Sequence, residues 1–273
     1  MKILKGDENI VEQKFISGKN NAFITEIYKL KQKKYRNQTG LFYIEGIKLF
    51  KEALNSRYRE NIKYIIAEEN IADTVGAAIC RSEIIADITV VTNEVYKKLT
   101  DEEAFQGVMC VIKKPAGDVL LSYEKPVIVL DSVRDPGNVG TIIRTANAVC
   151  DVDIILSGDC ADIYSSKTQR AAMGAVFRQN IKISENVEKD VENLKKNGYN
   201  IFAAHLDKNS RSIDEIEFSS KTAVIFGNEG NGLEDETVKL CDEKIIIPIN
   251  QDSESLNVSI AAGIVLWEMR KGL

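Results

Sequence analysis

Three polar clusters, each placed directly after an apolar run, hold the residues of this sequence best suited to chemistry. In the first, LDSVRDPGNVGTIIRTANA (Leu130 to Ala148), the candidate reactive groups are Asn138 and Arg144. Pro136-Gly137 suits a turn, Asn138 a helix N-cap and Gly140 a close backbone approach. Read singly, Asn138 is a cap and Arg144 a surface cation. The second cluster, FGNEGNGL (Phe226 to Leu233), spaces three glycines so that a ligand could lie on bare backbone. Its G-x-x-G-x-G order is neither the dinucleotide fingerprint nor a Walker loop. Glu229 inside it would repel phosphates. That points to a cationic ligand, or to a carboxylate that orients its neighbours through hydrogen bonds. In the third, IPINQDSESLN (Ile247 to Asn257), Ser255 and Asn257 stand at the start of an apolar helix, where capping is the ordinary use of such residues. Without a G-x-S-x-G, Ser255 does not read as a hydrolase nucleophile. The lone histidine, His205, follows a strand and could reach the same end of a sheet; a solvated or structural role is its ordinary reading.

The elements that must position these clusters alternate. From Pro126 onward, strands are predicted at Val127–Leu130, Ile154–Leu156, Ile181–Ile183, Asn200–Ala204, Ala223–Phe226 and Ile245–Ile247. Helices are predicted over Val139–Cys150, Thr168–Phe177, Val187–Asn197 and Asp235–Leu240, and from Leu256 onward. Continuous apolar strands interleaved with helices predict an α/β fold, a parallel sheet with helices on both faces. Ligands in such sheets lie at strand carboxyl ends and helix N-termini. Upstream, strands at Leu41–Ile44, Tyr64–Ala67, Ile88–Val91 and Val108–Ile112 predict a smaller α/β domain. Its helices are expected over Asn21–Lys34, Ile47–Asn55, Ile71–Cys80 and Asn93–Leu99. The expected divisions are an N-terminal extension over 1–19, loose up to about Gln13, the small domain over 20–114, a linker over 115–125 and the larger domain over 126–273.

In the small domain, Lys29, Lys31, Lys33, Lys34 and Arg36 fall in a stretch without an acid. Tyr28, Tyr35 and Tyr43 nearby offer stacking faces, so the stretch reads either as a contact for unpaired bases or as a solvated helix end. The net charge of -5 argues against a general polyanion binder. Five scattered cysteines without a C-x-x-C pair, and a single histidine, argue against a metal site. The odd cysteine count and the absence of a secretory h-region make a cytoplasmic setting the expectation. No apolar run approaches the roughly 20 residues of a membrane span.

Together the clusters resemble the three motifs of the SpoU/TrmH family of RNA 2′-O-ribose methyltransferases, within the SPOUT superfamily. The match runs D-P-G-N-V-G-x-x-x-R-T-A, then F-G-N-E-G-x-G-L, then I-P-I…S-L-N-V-S-x-A-A, in order, and covers Pro126 to Leu273. The stretch ISGKNNAFITEIYKLKQKKYRNQTGLFYIEGIKLFKEAL resembles the family's small RNA-binding domain, which is similar to the ribosomal protein L30e fold. The resemblance implies a deep trefoil knot in the catalytic domain, an exception to the rule against knots. It implies S-adenosyl-L-methionine held largely through backbone at Gly227, Ile247 and Leu256. It assigns catalysis to Asn138, Arg144, Glu229, Ser255 and Asn257, and RNA contact to the Lys29–Arg36 stretch. It also implies a homodimer acting on structured RNA, with 23S ribosomal RNA preferred to tRNA by analogy of fold alone. The loop Gln251-Asp252-Ser253-Glu254 is more acidic than expected and is read as shaping target choice. Two rival readings stay open: a catalytically silent RNA-binding or ribosome-assembly protein of the same fold, and a nucleotide-dependent enzyme with Gly227–Gly232 as its phosphate loop. Glu229 and the absence of lysine in that loop count against the second.

Overall fold

The structure, a computed structural model, describes residues 4–6, 9–11, 13–82, 86–115, 119–250, 252 and 255–273. It divides into two units, Met1–Ala116 with Tyr164–Ser166, and Gly117–Ile163 with Lys167–Leu273. Of the expected linker, residues 116–118 lie outside the described residues, as do Gln251, Ser253 and Glu254 of the acidic loop.

In chain order the first unit contains β1 (Leu4–Gly6), β2 (Asn9–Val11), β3 (Gln13–Ile16), α1 (Ala22–Lys29), α2 (Lys33–Thr39), β4 (Leu41–Glu45) and α3 (Ile47–Leu54). It continues with β5 (Ile62–Glu68), α4 (Ala72–Ser82), β6 (Asp87–Val91), α5 (Asn93–Leu99) and β7 (Val108–Lys113). Its five-stranded sheet has the order β3-β6-β5-β7-β4, parallel from β3 to β5 and antiparallel beyond. β1 and β2 lie in the stretch expected to be loose, up to about Gln13. β1 and β2 pair antiparallel, and β3 joins the main sheet beside β6, which carries Ile16 into the core. A backbone ladder and one buried side chain are enough to anchor so short a strand.

The predicted helix over Asn21–Lys34 is two helices. Asn21 caps α1, its side chain accepting from the Phe23 N–H at 2.9 Å. Gln32 is extended (φ -97°, ψ 131°), and this interrupts the helical ladder before α2. Arg36 takes up the carbonyls that the break sets free, donating to Leu30 O and Lys31 O at 2.8 Å each. Residues Asn37–Thr39 continue α2 until Gly40 ends it in the left-handed region.

The second unit contains β8 (Val127–Leu130), α6 (Pro136–Val149), β9 (Asp153–Ser157), α7 (Ser166–Ala172), β10 (Ile181–Ser184) and α8 (Val187–Lys196). It ends with β11 (Asn200–Ala204), β12 (Arg211–Ser212), β13 (Thr222–Phe226), α9 (Asp235–Lys239), β14 (Glu243–Ile246) and α10 (Val258–Lys271). All seven strands run parallel, in the order β10-β9-β8-β13-β11-β14-β12. The expected parallel α/β sheet is therefore present. β8, β9 and β13 are buried along their whole length, as strands covered on both faces must be.

Local differences have local causes. α7 stops earlier than predicted because Met173 and Gly174 both turn left-handed (φ 51° and 86°). α10 begins at Val258 with Asn257 as its cap, two residues after the predicted start at Leu256. Gly140 sits where α6 and α7 touch: a Cβ there would lie 2.5 Å from Ala171 Cβ and 2.7 Å from Thr168 O. α10 packs against α6 and buries Ala262, Val265, Leu266 and Met269. Its other side exposes Ile260 and Trp267. Among the described residues no helix is long and apolar enough to cross a membrane.

Candidate active site

β13, β11 and β14 are neighbours in the sheet, and parallel neighbours release their loops at one edge. Those loops and the first turns of α10 enclose a cavity of about 650 Å³. Gly227, Glu229, Ile247, Ser255, Leu256 and Asn257 all line it, so six residues singled out in the sequence meet at one cavity. Phe226, Ile245 and Val265 make much of the rest apolar, and the size is that of a small-molecule site.

The glycine loop has one tight geometry. Asn228 and Gly232 exchange N–H···O bonds of 2.9 Å, and Asn228 Oδ1 accepts from Gly230 N–H at 2.9 Å. Asn228 Nδ2 donates to Ser132 O at 2.9 Å, which ties the loop to the one after β8. Ser132 is held left-handed (φ 59°), a strained conformation for a side-chain-bearing residue, while its N–H donates to Ser157 Oγ at 2.8 Å.

One hydrogen-bond chain joins the three clusters. Asn257 Oδ1 accepts from Ser259 N–H at 2.9 Å and from Ser259 Oγ at 2.6 Å. Asn257 Nδ2 donates to Asn138 Oδ1 at 3.0 Å, and Asn138 Nδ2 donates to Glu229 Oε1 at 3.0 Å. The Arg134 and Asp135 N–H groups add longer contacts to Glu229, 3.4 Å each. The direction of the chain is forced at both ends, because a carboxylate only accepts and a backbone N–H only donates. Asn138 is not the helix cap that its sequence position suggested. Asp135 caps α6, accepting from Asn138 N–H at 2.8 Å, and Pro136 takes the first helical position. The Asn138 side chain is thereby released to bridge the other two clusters. Asp-Pro is itself a helix-start signal that would have located the cap.

The Glu229 carboxyl titrates below the usual range. Burial acts to raise its pKa, but the Asn138 amide and the backbone N–H groups of Glu229, Arg134 and Asp135 together outweigh it. A carboxyl lowered in this way adds stability that is complete above its unfolded pKa and lost as pH falls through the folded one. Asn138→Ala is expected to raise the Glu229 pKa, read by carboxyl ¹³C NMR. An unchanged titration would refute the contact as its cause.

Ser255 is exposed at the cavity and Arg144 is exposed on α6. Neither side chain makes a hydrogen bond or ion pair among the described residues. The protein thus joins Asn138, Glu229 and Asn257 by contact, sets Ser255 at the cavity, and leaves Arg144 outside the network. Asn228, Asp135 and Ser259 hold the arrangement and were not singled out in the sequence.

The basic stretch of the first unit is less uniform than its sequence. Arg36 is 3% exposed and committed to the Leu30 and Lys31 carbonyls just after α1, so it is withdrawn from the RNA-contact set. Lys31 is paired with Asp101 at 2.7 Å. Lys29, Lys33 and Lys34 are exposed, with Lys29 5.5 Å from the centre of the Tyr35 ring. Replacing these three lysines with alanine is expected to weaken RNA binding and flatten its salt dependence, by about 0.7–0.9 in log–log slope for each phosphate that is no longer neutralised. Arg36→Ala is expected instead to cost about 1–3 kcal/mol of stability in the first unit, because two carbonyls lose their donor. A stable Arg36→Ala with a reduced salt slope would reverse the two assignments.

Comparison with known proteins places this fold. Residues 125–267 match the SpoU rRNA Methylase family, and residues 21–110 match the MRM3-like substrate binding domain. The chain is 30% identical to the 23S rRNA (guanosine(2553)-2′-O)-methyltransferase RlmP of Bacillus subtilis, over 94% of this chain and 99% of that one. It is 33% identical to the tRNA (guanosine(18)-2′-O)-methyltransferase of Aquifex aeolicus, over 56% of this chain and 73% of that one. The crystal structure of AdoMet-bound rRNA methyltransferase from Sinorhizobium meliloti superposes with a TM-score of 0.85 at 32% identity, covering 96% of this chain and 98% of that one. Fold and relatives define an RNA methyltransferase. Within that class the chain belongs to the SpoU rRNA Methylase family, as the order of its three motifs implied.

Proposed function

We propose that this protein transfers the methyl group of S-adenosyl-L-methionine to a ribose 2′-OH in large-subunit ribosomal RNA. The observation that carries the reading is the Asn257–Asn138–Glu229 chain, which runs from the start of α10 to the glycine loop along the cavity. The cavity suits this donor. Its wall is mainly apolar, among the described residues it carries no lysine or arginine to hold phosphates, and Glu229 supplies one negative charge for a cationic ligand. S-adenosylmethionine, when bound, supplies an electrophilic methyl on a sulfonium centre. Gly227, Ile247 and Leu256 would hold it through their backbone. Glu229, Asn138 and Asn257 fix the loops that bear those groups. Ser255 would position the sugar, and Arg144 would stabilise negative charge developing on the 2′-oxygen. A guanidinium stays protonated near neutral pH, so the proton leaves to water or to an RNA phosphate rather than to Arg144.

Residues 20–114 form the RNA-binding domain, similar to the L30e fold, and residues 126–273 the methyltransferase domain, with the segment after β14 closing a trefoil knot. Ile260 and Trp267 on α10 belong to a homodimer surface. Aspartate at both positions is expected to yield a monomer in sedimentation, and an unaltered dimer would exclude that face. The protein works in the cytoplasm, where its RNA is. Ribosomal RNA is preferred because the RlmP relative aligns over 94% of the chain, whereas the tRNA relative aligns over 56%.

The test is transfer of labelled methyl from S-adenosylmethionine to RNA from a strain lacking the protein. Labelled 2′-O-methyl nucleotides are expected in 23S ribosomal RNA. Label confined to tRNA would move the target, and no label in either would favour a silent RNA-binding protein.

A further inference from the structure

Ser132 supports the glycine loop through its carbonyl, yet its left-handed backbone persists only if something holds it there. The hold comes from the next strand of the sheet. β8 lies between β9 and β13, so the turn after β8 has the turn after β9 on one side and the glycine loop on the other. Ser157, the last residue of β9, and Cys160, three residues on, are both buried. Ser157 Oγ accepts from Ser132 N–H at 2.8 Å, lies 3.6 Å from Cys160 Sγ, and the Cys160 thiol donates to Leu130 O at 3.2 Å. The direction is forced, because an N–H only donates and a carbonyl only accepts, so the Ser157 hydroxyl donates to the sulfur. Burial pushes the Cys160 thiol up, which keeps its proton on sulfur at neutral pH. The chain therefore leaves the end of β8 at Ser132 and returns to it at Leu130.

The same turn carries the glycine loop on its other side. Ser132 O accepts from Asn228 Nδ2 at 2.9 Å, and Asn228 lines the cavity. The Arg134 and Asp135 N–H groups reach Glu229 at 3.4 Å each, contacts long enough that a small rotation of the turn would break them. Two main-chain bonds, Asp131 N–H to Phe226 O at 2.8 Å and Ala161 N–H to Val133 O at 2.9 Å, stay whatever the side chains are. What depends on side chains is the left-handed φ of Ser132. Without Ser157 Oγ its N–H loses that acceptor and nothing opposes relaxation of the strain. Relaxing φ swings the Ser132 carbonyl away from Asn228, and the N–H groups that follow away from Glu229. Among the described residues neither Ser157 nor Cys160 lines the cavity, so both act on it through the turn.

We propose that Ser157 and Cys160 are positioning residues of the donor site, a buried clasp that keeps the β8 turn in the strained form on which Asn228 and Glu229 are set. The inference rests on the methyl-donor reading above, and the experiment separates the two. Full-length Ser157→Ala, Cys160→Ala and Cys160→Ser are compared with Val191→Ala, a truncation in the core on α8 that lowers stability without altering the clasp. In Ser157→Ala the Glu229 pKa is expected to rise towards the usual carboxylate range in carboxyl ¹³C NMR, although the two residues do not touch. Its calorimetric affinity for S-adenosylmethionine is expected to fall about three- to tenfold, the worth of one hydrogen bond. Cys160→Ala should move both readouts in the same direction. Cys160→Ser should restore them, because a hydroxyl can still donate to Leu130 O. Val191→Ala should lower the melting temperature and leave both at parental values. An unmoved Glu229 titration or parental affinity in Ser157→Ala, a Cys160→Ser no better than Cys160→Ala, or equal changes in Val191→Ala would overturn the proposal and spare the methyl-donor reading. A parent protein that binds no S-adenosylmethionine would overturn that reading, and the Glu229 titration would still decide the clasp.

Discussion

Gly227→Ala is expected to weaken S-adenosylmethionine binding about a hundredfold or more, which corresponds to about 2.7 kcal/mol. The added Cβ would lie 2.3 Å from both the carbon and the oxygen of the Gly232 carbonyl and 2.5 Å from Leu233 N. These are backbone atoms, so no side chain can rotate away. Relief requires the end of β13 to move or the Asn228–Gly232 pair to open, and opening it breaks both 2.9 Å bonds. Asn228 would then lose its hold on Gly230 N–H and Ser132 O, and the cavity wall with it. Overpacking of this kind costs about 1–3 kcal/mol. Here the displaced element is the wall of the proposed donor site, so the effect is expected on affinity as well as on the melting temperature. Gly230→Ala is the control. Its Cβ would meet only Asn228 Oδ1, at 3.4 Å, and its affinity is expected to stay within about twofold of the parent's. Calorimetry on the two variants decides. Parental affinity in Gly227→Ala, or equal losses in both, would contradict the role given to this glycine.

The legible parts of the fold were those where burial imposes a pattern. β8 and β13 read clearly because a strand covered on both faces can hold almost no polar residue. β12 has two residues, and β3 is a four-residue edge strand with Phe15 58% exposed, so neither leaves a periodic trace. The break between α1 and α2 has no glycine or proline to announce it. It depends on Arg36 turning inward to take the freed carbonyls, which is a tertiary event. The site was legible as three clusters, because each follows a strand with residue types that ordinary turns do not need in combination. Their joining was not. Asn138 bridges to Glu229 instead of capping its helix because Asp135 takes the cap, a residue that was not singled out in the sequence. Composition suggested five equivalent cations in the basic stretch. Packing commits two of them, Lys31 and Arg36, elsewhere in the first unit.

Arg144→Ala is expected to lower kcat about 10²–10³-fold, the usual cost of removing one group aimed at a developing oxyanion. The same variant should keep its melting temperature and its affinity for S-adenosylmethionine. Arg144 is exposed, has no partner among the described residues and does not line the cavity, so its removal leaves no buried group unpaired. Asn138→Ala makes the contrast. It cuts the bridge between two cavity residues, Glu229 and Asn257, and is expected to lose donor affinity together with rate. Arg144→Lys should still lose most of the turnover, because an ammonium is a point charge without the planar fork of a guanidinium. The pH profile then separates two roles for this residue. A base would contribute its own ionisation to the rising limb, and lysine, with a different pKa, would displace that limb. A cation that stabilises charge lowers the height of the profile and leaves its shape unchanged. A lowered profile of unchanged shape is the expected result; a displaced limb would make Arg144 the proton acceptor, and a fully active Arg144→Lys would remove it from the reaction.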